Sequence, residues 1–125
     1  MGWRASRSTY TRFITSQASA ISANSGAAAG VAWGKATEKI DGFSGCCNPK
    51  DIAFLPSGDI VVSEKGLPRV KVYDRSGKFL CVVAGTESFD QDVAYLDLAV
   101  DSKGRVLVLD PAQKKVRIFV RKGQP

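Results

Sequence analysis

One displacement organises the second half of this sequence: moved along by 46 residues, it falls on itself without a gap. Ile52-Ala53 lands on Leu98-Ala99, Gly58 on Gly104, the apolar run from Ile60 on the run from Val106, and Glu64 on Asp110. Farther along, Val70-Lys71-Val72-Tyr73 lands on Val116-Arg117-Ile118-Phe119, and Gly77 on Gly123. Chance does not keep register across that many elements. A duplicated unit of this size cannot bury its own apolar surface and must stack against its copies.

The content of the unit says what kind of stack to expect. Short runs of Val, Ile, Leu, Phe and Tyr are separated by "PSGD", "RSGK" and "SKGR", each with glycine where a tight turn needs positive φ. No long amphipathic helical pattern is present. The strands expected are 51–55, 60–63, 69–73 and 78–83 in the first copy, and 97–100, 106–109 and 116–120 in the second. About four short strands in a period in the forties is the size of one β-propeller blade. The expected fold is therefore all-β, a partial β-propeller of two blades with about seven antiparallel strands and an irregular N-terminal extension. The turn at Gly123 repeats the one at Gly77, so the second blade is expected to lack its outer strand. A bare edge of that kind has to be covered, and residues 31–34 are the segment expected to do it.

The organisation expected is an extension over residues 1–40 followed by the two blades over 41–125. The extension holds five basic residues and one acid, +4 of the chain's net charge of +6, and then runs through uncharged sequence rich in Ala, Ser and Gly. That composition suits an export signal, an organellar transit peptide or a disordered arm, with a lean toward an exported or extracytoplasmic protein. No apolar run reaches the 18 or so residues a membrane-spanning helix needs. Because most of the excess charge lies outside the repeats, the basic balance does not point to nucleic acid. The basic tail formed by Lys114, Lys115, Arg117, Arg121 and Lys122 suits a small patch for an anionic partner such as nucleic acid, while alternating outward positions on an edge strand produce the same string.

The stretch "DLAVDSKGRVLVLDPAQKKVRIF" resembles the NHL repeat of six-bladed β-propellers: an apolar strand, Asp-x-x-Gly, a hydrophobic strand ending in an acid, then a basic-apolar strand ending in an aromatic. "DIAFLPSGDIVVSEKGLPRVKVYDRSGKF" resembles it as well, and together the two copies span residues 48–123. The resemblance implies a binding or scaffold surface for a protein or small-molecule ligand. Two blades do not close a ring, so the chain is expected to be either a fragment of a longer protein or a subunit that further copies, as a homo-oligomer, complete. The resemblance also implies an alternative, since some related propellers are calcium-assisted hydrolases or metal-dependent lyases. The absence of histidine removes histidine-held metal and any Ser-His-Asp arrangement.

Four groups of residues carry what chemistry the chain offers. Asp51 and Asp97 are repeat equivalents at the starts of the innermost strands, where two carboxylates suit a hard cation such as calcium; no other cofactor is indicated. Equally, they suit the capping of backbone groups at the same place in each blade. Glu64 and Asp110 hold the repeat's acidic position, where a carboxylate accepts bonds from the turn that follows. Lys65 and Arg69 flank a Gly-Leu-Pro kink and form a candidate contact for an anionic ligand. Cys46 and Cys47 are adjacent, fit no spaced metal motif, and form a redox candidate or a packed entry to the first blade.

Overall fold

The computed structural model describes residues 2–6 and 32–123. Among these the chain is all-β: eight strands in two four-stranded antiparallel sheets, with a single short 3-10 turn at Thr86–Ser88 as the only helix. The strands are β1 (Trp3–Ser6), β2 (Asp51–Phe54), β3 (Ile60–Glu64), β4 (Arg69–Tyr73), β5 (Phe79–Ala84), β6 (Asp97–Val100), β7 (Val106–Asp110) and β8 (Lys115–Arg121). The first sheet is a simple meander, β2-β3-β4-β5; the second has the order β1-β8-β7-β6. The seven strands expected from the repeat are all present, within one or two residues at each end.

The eighth strand is the correction. Residues 3–6 pair antiparallel with β8, Trp3 opposite Arg121 and Ser6 opposite Ile118, and complete the second sheet where β5 completes the first. The Lys122 N–H continues the ladder to the Gly2 carbonyl at 2.8 Å. The cover for the bare edge thus comes from inside the segment expected to be an irregular extension, and not from residues 31–34. Trp33 has another task, packing its ring against Tyr73 at 5.0 Å and Phe43 at 6.4 Å on the first sheet. Residues 7–31, on which the export, transit or arm reading mainly rests, lie outside those described.

The turns behave as their sequences require. At Asp74–Lys78 the Asp74 carboxylate accepts from the N–H groups of Ser76 and Lys78, and Gly77 takes φ +92°. A side chain there would be strained in its backbone and would also run into the Trp33 ring. Asp101 accepts from Lys103 and Arg105 in the same way, which closes the β6–β7 turn of the second sheet.

Two layers of apolar side chains explain why β3 and β4 are buried at every position instead of alternating. One face of the first sheet, with Val61, Val70, Val72 and Ala53, packs against Leu98, Val100, Val106, Val108 and Phe119 of the second. The connection between the sheets fills the space with Phe89, Val93 and Leu96. The opposite face, with Ile60, Val62 and Tyr73, is covered by Trp33 and Phe43 from the segment that precedes β2. A strand covered on both sides reads as a continuous apolar run, as residues Ile60, Val61 and Val62 of β3 do.

Candidate functional site

Each sheet carries the same five-part clamp on the face turned toward the connection that precedes it. In the second sheet the Arg117 guanidinium lies 3.3 Å from Asp110 Oδ2, over the rings of Phe119 and Phe89 at 5.3 and 5.1 Å, and donates to the Ser88 carbonyl. In the first sheet the Lys71 ammonium lies 2.8 Å from Glu64 Oε1, over Phe43 and Tyr73 at 4.8 and 5.5 Å, and donates to the Gly42 carbonyl. Acid, cation, strand aromatic, loop aromatic and loop carbonyl all keep the 46-residue offset. The duplication therefore starts earlier in the chain than Asn48. Its reach into the loops is hidden in the sequence because only Phe43 and Phe89 carry it, between unlike neighbours.

The first clamp is the more deeply buried. Arg69 donates Nε and Nη2 to the two oxygens of Glu64, each at 2.8 Å, and Nη1 to the Glu38 carbonyl at 3.0 Å. Lys71 adds the Ile40 carbonyl at 2.9 Å, and the Ser44 N–H reaches Glu64 Oε2 at 3.0 Å. Burial pushes the Glu64 carboxyl up, but the hydrogen bonds from Arg69, Lys71 and Ser44 together outweigh it and hold the group below the usual carboxylate range. Burial also lowers the Lys71 ammonium from its ordinary value, against the opposing pull of Glu64. Tyr73 closes the cluster: burial first, and Glu64 second, push its hydroxyl up to about 12. Among the described residues that hydroxyl has no hydrogen-bond partner.

This accounts for Arg69, expected to meet an anionic ligand beside Lys65. It is the first residue of β4, directly opposite Glu64 in the ladder, and its guanidinium is buried and fully engaged. Glu64 likewise departs from expectation, since its partners come from β4 and the 38–44 segment rather than from the following turn. Asp110 does serve its turn, accepting from the Gln113 N–H at 3.3 Å. Lys65 is half-buried at the start of the β3–β4 turn, held through its backbone by the Asn48 side chain.

Asp51 is a strap between the sheets. Its Oδ1 accepts from the Ile52 N–H at 2.8 Å and its Oδ2 from the Leu98 N–H of β6 at 2.7 Å. Asp97 stands at the same place one sheet on, at the edge of an open groove of about 320 Å³ that Tyr95, Leu109, Lys114 and Val116 also line. Among the described residues no three His, Cys, Asp or Glu side chains are grouped as a metal site.

Lys65 and Cys46 do come together. They line an open groove of about 490 Å³ at the β3–β4 turn, with Glu38, Gln91 and Asp92. Cys46 and Cys47 are both exposed free thiols with their sulfurs 3.4 Å apart.

Comparison with known proteins finds no family model, no curated protein and no solved structure that matches the chain. Among the described residues no helix is long and apolar enough to cross a membrane.

Proposed function

We propose that the two sheets are consecutive blades of an NHL-like β-propeller whose role is to present a binding or scaffold surface, and that copies of the chain join head to tail to extend the ring. The observation that carries this is a mismatch in burial between repeat equivalents. Ser63 and Val70, opposite each other on the trailing face of the first sheet, are 0 % exposed beneath the second sheet. Their counterparts Leu109 and Val116, also opposite each other, are 48 % and 55 % exposed on the trailing face of the second.

The leading face of the first sheet is covered by Trp33 and Phe43 over Ile60, Val62 and Tyr73, and is open in the complementary way at Ile52. Leu98 packs into the core between the sheets, whereas its counterpart Ile52 is 52 % exposed. Asp51 holds the Leu98 N–H, and Asp97 offers the same acceptor beside Leu109 and Val116. Each molecule thus carries both halves of a contact it already makes once within itself, which is a heterologous interface and closes into a ring when the rotation allows. Three copies would supply about six blades.

Sedimentation of the native protein over a range of concentrations tests the reading. The expected result is a concentration-dependent assembly that Leu109→Glu or Val116→Glu reduces to the monomer while the β-sheet circular dichroism is unchanged. A wild-type chain that stays monomeric at high concentration would overturn it.

A further inference from the structure

The pair Cys46-Cys47 interrupts the duplication. Displaced by 46 residues it falls on Asp92-Val93, and Val93 is buried between the sheets, so two exposed thiols stand where the other copy has an acid and a core residue. Neither thiol takes part in the clamps, and neither packs in the two apolar layers.

The backbone that carries them is fixed at its base. The Asn48 side chain donates to the carbonyls of Ser44 at 2.7 Å and Lys65 at 2.8 Å, and accepts from the Lys65 N–H at 2.9 Å. On the other side the Ser44 N–H is held by buried Glu64. Between these anchors the chain turns through positive φ at Gly45 (60°) and at Cys47 (71°). Cys47 is one of two non-glycine residues with positive φ among those described. The result is a tip on which the two sulfurs are 3.4 Å apart and open to solvent, with Cys46 on the wall of the 490 Å³ groove.

We propose that Cys46 and Cys47 form a vicinal dithiol that undergoes reversible thiol–disulfide exchange with low-molecular-weight disulfides. Cys46, facing the groove, attacks one sulfur of the disulfide as thiolate; the S–S bond breaks, one thiolate leaves, and a mixed disulfide forms on Cys46. Cys47 then attacks the Cys46 sulfur, a new S–S bond forms between neighbours, and the second thiolate leaves. The two protons lost by Cys46 and Cys47 are taken up by the two departing thiolates. Two electrons pass from the protein to the small molecule, giving a cyclic Cys46–Cys47 disulfide and two small thiols.

Adjacency makes the product easy to reopen. The α-carbons of neighbouring residues are about 3.8 Å apart across a trans peptide, against roughly 4.4–6.8 Å in ordinary disulfides. A bond forced into that span is strained and more readily reduced, which suits a switch rather than a staple.

The test uses the full chain with oxidised glutathione, diluted until sedimentation gives a monomer so that a neighbouring copy does not hide the pair. Wild type is expected to lose two hydrogens by mass, with Cys46 and Cys47 resistant to alkylation, Cys81 still alkylated, and full recovery in reduced glutathione. Cys47→Ser should stop at a stable glutathione adduct on Cys46, while Cys81→Ser should behave as wild type. A wild-type protein that accumulates the mixed disulfide, links into dimers through these thiols, or leaves both thiols alkylatable would overturn the proposal.

Discussion

Three groups converge on Glu64, with Arg69, Lys71 and the Ser44 N–H all directed at one buried carboxylate. Removing one member of a buried ion network leaves the others charged and unpaired, at a cost of about 3–5 kcal/mol. Glu64→Gln is therefore expected to lower the unfolding free energy by about that much at neutral pH in urea titration. Its carboxyl is held below its ordinary value in the folded chain, so the folded state gains from it above pH 4.5 and loses that gain as the pH falls further. The gap between wild type and variant should accordingly narrow in acid.

Tyr73 gives the opposite test at the alkaline end. Its hydroxyl is raised from 10.0 to about 12, so the folded chain keeps a proton that the unfolded chain releases first. That contribution is complete below pH 10 and drains away as the pH rises toward 12. Tyr73→Phe should remove this part of the alkaline loss, the effect of Lys71 being common to both proteins. Because the hydroxyl is buried without a partner among the described residues, the same change should raise stability at pH 7 by about 1 kcal/mol. These roles were only half legible in the sequence. The acid and the cation show in the duplicated pattern, but their shared loop carbonyls at Gly42 and Ser88 leave no trace in residue type, since a backbone acceptor can belong to any residue.

Among the elements, β2 to β8 follow from their apolar runs and Gly turns, and the duplication checks each of them against its twin. β1 does not. "WRAS" has neither a strand's alternation nor a flanking turn signal, and the partner that makes it a strand lies at the far end of the chain. Its contribution rests on Trp3, which is buried in the layer between the sheets and carries the Arg121 guanidinium over its ring at 5.3 Å. Trp3→Ala should cost about 3–5 kcal/mol in the same unfolding measurement. The variant should also aggregate on mild heating, because loosening β1 uncovers the backbone of β8.

In the whole molecule, the duplication made the all-β class and the two-sheet arrangement readable, since a repeated pattern of short strands has few ways to bury itself. The exposed ends of that arrangement were readable only by comparing copies: Leu109 and Val116 look like ordinary strand residues until Ser63 and Val70 are seen to be covered. An apolar contact of this kind should survive salt, so raising the ionic strength is expected to leave the sedimentation profile unchanged or to strengthen assembly. The strand that seals the second sheet also sets an order in time. Trp3–Ser6 are translated long before Lys115–Arg121, a delay of roughly 6 to 24 seconds at ordinary elongation rates of about 5–20 residues per second. For that interval β1 lacks the partner it has in the folded chain, so a nascent chain depends on whatever shelters that ribbon until β8 is made.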